Sequence, residues 1–325
     1  MTTQATDPVA VGAPDGDEIE RLAIAGSHPR WLVERFIEWF GRHGAERLMA
    51  ANNDAAPNAI RLNLERGSRA ELIERLCAEG FDIGSEGRAP ETIILNSAPV
   101  YESESYRAGL FHSQSEASQM VARMLAPREG ATAVDCAAAP GGKATHLAEL
   151  VGERGRVIAL DINFTGLRNV RALARRLRHR NIDLVRADLA AAQPPLKPGG
   201  FDFVLLDAPC TGIGTLREHP EIKWRLEPDD LARMAALQAR MLENAAALVR
   251  VGGALVYSVC SFAPEEGAIV IGEFLAAHPQ FRIDRRPPNY PELAGVIGGD
   301  GFMRTRPDRG GLDGFFAARL VRESD

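Results

Sequence analysis

The feature that most constrains this chain is an alternation of short apolar runs and helical segments that begins near Gln114. Runs with little polar interruption lie at Thr132–Cys136, Val157–Asp161, Asp183–Arg186, Phe201–Asp207 and Ala254–Cys260. Between them, apolar residues at helical spacing mark segments such as Leu167–Arg178 and Pro228–Val249. Strands of this texture, each followed by a helix, predict an α/β fold with a mostly parallel sheet covered on both faces. Ligands of such sheets bind beyond the carboxyl ends of the strands, so those ends carry the functional information.

The first run ends in Asp135-Cys136-Ala137-Ala138-Ala139-Pro140-Gly141-Gly142-Lys143, and a helix is predicted from near Lys143. Small residues and paired glycines let backbone approach a ligand closely, and the helix start offers N–H groups to an anion. The spacing fits neither the phosphate-loop nor the dinucleotide fingerprint. The second run ends in Asp161, about 20 residues past the glycines, where a carboxylate can accept both hydroxyls of a ribose. Helix capping is the alternative role for Asp161. Loop and acid together favour a nucleoside-bearing cofactor. One carboxylate-sized site at a helix start suits S-adenosylmethionine at least as well as a pyrophosphate.

The fourth run ends in Asp207-Ala208-Pro209-Cys210-Thr211-Gly212. The fifth ends in Tyr257-Ser258-Val259-Cys260-Ser261, and Pro264-Glu265-Glu266 then opens a helix. An isolated cysteine is usually a small core residue, which suits Cys77 and Cys136. It does not suit Cys210 and Cys260, which stand where strand becomes loop. On neighbouring strands, about 4.8 Å apart, the two thiols could face one pocket.

Upstream, residues 1–27 read as a disordered acidic tail. Residues 1–20 hold five acids and no Lys or Arg, so the net charge of −6 leaves −1 for the remainder. Two short helices are expected over Pro29–Ala51. A strand at Ile60–Leu64, a helix from Ser68 to Gly80 and a strand at Glu91–Asn96 follow. Residues 28–113 thus form an N-terminal helical and α+β subdomain, and residues 114–325 the larger domain. Arg168, Arg171, Arg175, Arg176, Arg178 and Arg180 make either a solvated helix face or a phosphate-tracking patch. With four cysteines but no C-x-x-C pair, a zinc ribbon and a dense disulfide framework are excluded. No apolar run approaches the ~20 residues of a membrane span, and the first residues lack the pattern of a secretory signal. A soluble, monomeric, cytoplasmic protein with no metal and no membrane partner is expected.

Asp-x-x-Ala-Ala-Pro-Gly-Gly-Lys, Asp-Ala-Pro-Cys-Thr-Gly and Tyr-Ser-x-Cys-Ser-x-x-Pro-Glu-Glu together resemble the Sun/Fmu (RsmB-like, NSUN-type) family of RNA cytosine-C5 methyltransferases. So do His219-Pro220-Glu221-Ile222-Lys223-Trp224 and Asp313-Gly314-Phe315-Phe316. The likeness spans roughly residues 28–323. Two motifs depart from the usual pattern: Cys136 stands one position earlier than the family's cysteine, and Ser115 follows Gln114 where Asp is usual. The family's bacterial ribosomal members also carry an N-terminal all-helical RNA-binding domain, which is expected to be absent here.

The resemblance implies a SAM-dependent methyltransferase fold with a seven-stranded sheet, and a small N-terminal RNA-binding subdomain. It makes Cys260 the nucleophile toward C6 of cytosine, Cys210 the residue that aids release, and Asp207 an acid near N3. It places Ala137, Ala138, Ala139, Pro140, Gly141, Gly142 and Lys143 around the methionine end of S-adenosylmethionine, Asp161 at the ribose and Asp188 at the adenine. Lys143 could instead reach the base. Arg171, Arg175, Arg178 and Lys223 are the candidate RNA contacts. The implied substrate is small-subunit (16S) ribosomal RNA, with transfer RNA as the alternative and a catalytically idle ribosome-assembly factor as a third reading. A DNA cytosine-C5 methyltransferase would make Cys210 the nucleophile and leave Cys260 without a role. A small-molecule methyltransferase would not need two strand-end thiols.

Overall fold

The computed structural model describes residues 16–97, 101–191, 194–285, 293 and 295–324. Three helices, α1 (Glu18–Gly26), α2 (Arg30–Phe40) and α3 (Arg42–Asn53), form the first layer. The small unit that follows holds β1 (Asn58–Leu62), α4 (Arg69–Ala78), β2 (Ile83–Glu86), β3 (Thr92–Leu95), α5 (Glu104–Arg107) and β4 (Phe111–Ser113). The larger domain opens with α6 (Glu116–Leu125), β5 (Thr132–Asp135), α7 (Gly142–Val151), β6 (Arg156–Asp161), α8 (Phe164–Leu177) and β7 (Ile182–Arg186). It continues through β8 (Phe201–Asp207), α9 (Ile222–Arg225), α10 (Asp230–Ala246), β9 (Val249–Val259) and α11 (Ala268–Ala277). It ends in β10 (Phe281–Ile283), β11 (Phe302–Thr305) and β12 (Phe315–Arg322).

The large sheet has the order β10-β12-β9-β8-β5-β6-β7, with β11 paired to β12 outside that path. Pairings from β9 through β8, β5 and β6 to β7 are parallel. Those of β12 with β9, β10 and β11 are antiparallel. Apolar residues of α10 and α11 cover one face of the sheet and those of α6 and α7 the other. No helix among the described residues is long and apolar enough to cross a membrane.

The small unit is a four-stranded antiparallel sheet, β2-β3-β1-β4. Its helix α4 begins where the sequence expects, because Ser68 and Glu71 close a capping box that satisfies two N–H groups of the first turn. The unit is joined to the large domain by buried charge. Arg61 of β1 donates to the Gly142 carbonyl (2.6 Å) and to Thr145 Oγ1 (3.0 Å), and pairs with Glu149 (3.0 Å), all on α7. Glu91 pairs with Arg123 of α6, its Oε2 lying 2.5 Å from Nη2.

One expectation fails here. The tail was expected to be disordered over residues 1–27, yet α1 occupies its second half. Asp17 caps that helix by accepting from the Glu20 N–H (2.9 Å) and pairs with Arg30 (2.6 Å), while Ala23 is buried against α2 and α3. Residues 1–15 lie outside the described residues.

Candidate active site

β8 and β9 are adjacent and parallel, with Asp207 opposite Ser258 in the register. The chain leaves both strands at the same edge, so Cys210 and Cys260 arrive together with their sulfurs 3.0 Å apart. Backbone bonds then fix the loops. Gly214 donates to the Cys260 carbonyl (3.0 Å), and Gly314 donates to Gly214 O (2.7 Å). A Cβ on Gly314 would collide with the Phe262 ring and the Gly214 backbone, which explains the glycine of the Asp-Gly-Phe-Phe motif. The helical layer supports the same loops, since Phe262 packs edge-on against Phe36 of α2 at 5.6 Å.

Asp207 lies beside the thiols. Its Oδ1 accepts from Ser258 Oγ (2.7 Å) and its Oδ2 pairs with Lys143 Nζ (2.7 Å). The Lys143 ammonium also sits 5.3 Å from the centre of the Phe315 ring. Burial alone would lower the pKa of Lys143, but the charge and hydrogen bond of Asp207 outweigh it and the pKa rises. Lys143 therefore stays a cation at the wall of the cleft. The cleft measures about 740 Å³ and includes Pro140, Lys143, Asp207, Cys210, Cys260 and Phe315 among its lining.

The Ala137–Lys143 loop runs from β5 into α7. Gly141 has φ +121, a conformation that side chains rarely adopt, and it packs onto Val170 of α8. Asp161 at the end of β6 accepts from the Ala139 N–H (2.9 Å) and the Asn163 N–H (2.8 Å). It thus braces the loop, and its remaining lone pairs are available to ribose hydroxyls. Asp188 is exposed after β7, with Oδ1 taken by the Ala190 N–H (2.9 Å).

Asp135 was not singled out from the sequence as a site residue. Its side chain is buried, Oδ2 has no hydrogen-bond partner, and burial with the nearby Asp207 charge pushes its pKa up to about 7. An orphaned acceptor at the mouth of the cofactor loop fits the ammonium of an amino-acid group. The available signal was its place as the last residue of β5.

Other sequence candidates fare differently. Lys223 was read as an RNA contact, but it is buried and donates to Asn53 Oδ1 (3.0 Å) at the end of α3, so it holds two elements together. Arg171, Arg175 and Arg178 are exposed on or at the end of α8. Arg176 instead turns inward, donating to the Tyr106 and Phe111 carbonyls and stacking 3.7 Å from the Tyr106 ring. Cys136 is buried as expected. Cys77 is exposed, because Leu72 and Leu76 carry the buried side of α4.

Residues 122–321 match the family described as 16S rRNA methyltransferase RsmB/F. Residues 28–101 match its ferredoxin-like domain. The chain belongs to the RsmB/F methyltransferase family. It is similar to the probable ribosomal RNA small subunit methyltransferase B of Bacillus subtilis (strain 168), 34% identical over 317 residues, which cover 96% of this chain and 71% of that protein. It also resembles the crystal structure of a methyltransferase homolog protein from Pyrococcus horikoshii, with TM-score 0.78 and 27% identity, covering 94% of this chain and 99% of that one. NSun6 from Pyrococcus horikoshii, solved with SFG, shares the fold at TM-score 0.82 and 23% identity, over 91% of this chain and 99% of that one. Membership makes this RsmB/F-family chain an S-adenosylmethionine-dependent RNA methyltransferase, and cytosine-C5 methylation is characteristic of the family.

Proposed function

We propose that this enzyme methylates C5 of a cytosine in small-subunit ribosomal RNA through a covalent adduct between Cys260 and C6. The observation that carries the reading is the 3.0 Å approach of Cys210 and Cys260 at the ends of two adjacent strands. One thiol would serve as a nucleophile in many enzymes, whereas two in one cleft suit an addition followed by an elimination.

Carbon 5 of cytosine is a poor nucleophile. Attack of the Cys260 thiolate forms an S–C6 bond and shifts the C5=C6 electron pair toward C5. Asp207 supports charge at N3 during this step, and Lys143 holds Asp207 in place from the opposite side. S-adenosylmethionine supplies an electrophilic methyl group. Its holders would be the Ala137–Lys143 loop, Asp135 at the ammonium, Asp161 at the ribose and Asp188 near the adenine. For release, the Cys210 thiolate takes the proton from C5, the C5–H electron pair re-forms the C5=C6 double bond, and the S–C6 bond breaks to return Cys260 as a thiolate. The base must leave its stack to reach the cleft, so an unpaired cytosine is the expected target. The small α+β unit and the exposed arginines of α8 would hold the RNA backbone. The proposed organisation is an N-terminal RNA-binding subdomain over residues 28–113 and a methyltransferase domain over 114–325.

The test separates the thiols on a denaturing gel with labelled RNA. Cys210→Ala should accumulate a denaturant-resistant protein–RNA band that requires S-adenosylmethionine, and Cys260→Ala should give none. The reverse pattern would make Cys210 the nucleophile. Bisulfite sequencing of total RNA from a deletion strain then identifies the cytosine, and a lost site in transfer RNA would replace the ribosomal assignment.

A further inference from the structure

Glu265 and Glu266 are adjacent in the chain but lie in different surroundings. Glu265 faces Arg35 of α2 and pairs with it. Glu266 is fully buried, and among the described residues no Lys, Arg or His stands within ion-pair distance of it. A buried carboxylate without a cation needs neutral donors. Four converge on Glu266. Oε1 accepts from the Thr211 N–H (2.9 Å) and from Gln238 Nε2 (3.0 Å), and Oε2 accepts from Thr211 Oγ1 (2.5 Å) and Ser261 Oγ (2.6 Å). Gln238 extends the clamp, since the same Nε2 also donates to the Pro209 carbonyl (2.9 Å) and its Oε1 accepts from the Tyr257 hydroxyl (3.1 Å).

The donors are not scattered. Thr211 directly follows Cys210, Pro209 precedes it, and Ser261 directly follows Cys260. Parallel pairing of β8 and β9 ends at Asp207 and Ser258, so the sheet itself does not reach either cysteine. We propose that Glu266 is the positioning residue of the thiol pair, tying the segment around Cys210 to the segment behind Cys260 so that their sulfurs meet. Its charge has a second consequence. Contact with Cys260, then burial, then the charges of Cys260, Glu266 and Asp207 raise the pKa of the Cys210 thiol. The groups around Cys210 are thus Cys260, Glu266, Asp207 and the Tyr257 hydroxyl, with Lys143 reaching the cleft through Asp207. Glu266 thereby helps to raise the Cys210 pKa, which makes its thiolate, once formed, a stronger base toward the C5 proton.

The inference rests on the proposed pairing of Cys210 with Cys260, but its test uses no RNA, so failure here is distinguishable from failure of the catalytic assignment. Phenylarsine oxide captures two thiols only when they are close together, and mass spectrometry reads capture in the full chain. Glu266→Ala should lose capture at the pair. Glu266→Gln should keep it, because the two hydroxyls can turn to accept from the new amide. In Glu266→Gln the pH profile of Cys210 alkylation by iodoacetamide should move to lower pH. A folded Glu266→Ala protein that captures at the wild-type rate would overturn the positioning role, and a Glu266→Gln protein whose Cys210 profile stays in place would overturn the charge effect on Cys210. If Glu266→Ala does not fold, Thr211→Val and Ser261→Ala each strip one donor. Slower capture in both supports the clamp, and unchanged capture in both overturns it.

Discussion

Replacing Arg61 with Met should unseat the small α+β unit from the cofactor loop. Methionine keeps much of the length and apolar volume of arginine, so the chief loss is charge and hydrogen bonding. The Gly142 carbonyl, Thr145 Oγ1 and Gln114 Oε1 each lose a donor, and the Gly142 carbonyl keeps only a longer side-chain contact, from Thr145 Oγ1 (3.1 Å), among the described residues. Glu149 loses its ion pair and keeps only longer contacts, to His179 Nε2 (3.3 Å) and the Leu64 N–H (3.4 Å). Burial raises the pKa of Glu149, but the Arg61 charge and then the His179 bond outweigh it and hold the group below the ordinary carboxyl value. Breaking one side of a fully buried pair costs about 3–5 kcal/mol. With an unfolding entropy of about 2.1 cal/mol/K per residue, a chain of this length should melt about 4–7 °C lower. Because the lost guanidinium also held the Gly142 carbonyl, S-adenosylmethionine affinity should fall about tenfold, or about 1.4 kcal/mol. Arg61→Lys should be intermediate, since a point charge cannot replace the planar fork. Scanning calorimetry measures the first effect and titration calorimetry the second. An Arg61→Met protein that melts and binds like the wild type would refute the reasoning.

Asp161→Ala should weaken S-adenosylmethionine binding by about 1.5–3 kcal/mol, the worth of a hydrogen bond to a charged group; unchanged affinity in titration calorimetry would leave Asp161 the structural role of its bonds to the Ala139 and Asn163 N–H groups. Asp135, raised to about 7, favours its neutral form in the folded protein, so the stability it contributes is complete below about pH 4 and lost as pH rises through 7. Relative to wild type, Asp135→Asn should therefore gain stability between those limits, on the order of 4 kcal/mol. Urea melts at pH 5 and pH 8 check this, and a pH-independent difference would count against it. Paired Arg171→Ala and Arg175→Ala should weaken RNA binding and flatten its salt dependence by about one unit of slope per lost phosphate contact; an unchanged slope removes α8 from the interface.

What was legible in the sequence, and what was not, follows from the range of the forces involved. The central parallel strands β5, β6 and β8 are largely buried on both faces, so each reads locally as an apolar run with little polar interruption, and β8 begins and ends where the run does. The strand-end cysteines were legible for the same reason: the end of an apolar run marks the rim of the sheet. β12 was not legible as a strand, because Arg319 interrupts its apolar pattern and is buried through bonds to the Leu125 carbonyl and Asp284. Composition misjudged α1, since its acids read as solvated tail until Arg30 supplies their partner. Lys223 was misplaced for a similar reason: its acceptor, Asn53, stands 170 residues away in the chain. Glu266 read only as an acid opening a helix. Its burial depends on Thr211, Gln238 and Ser261 meeting in space, and no local pattern records that meeting. The sequence thus exposes the groups that react, because they sit at the ends of regular elements. It conceals the groups that hold them, because their partners come from distant segments. A search for function in this fold should therefore begin at strand ends and then follow each buried carboxylate back to its donors.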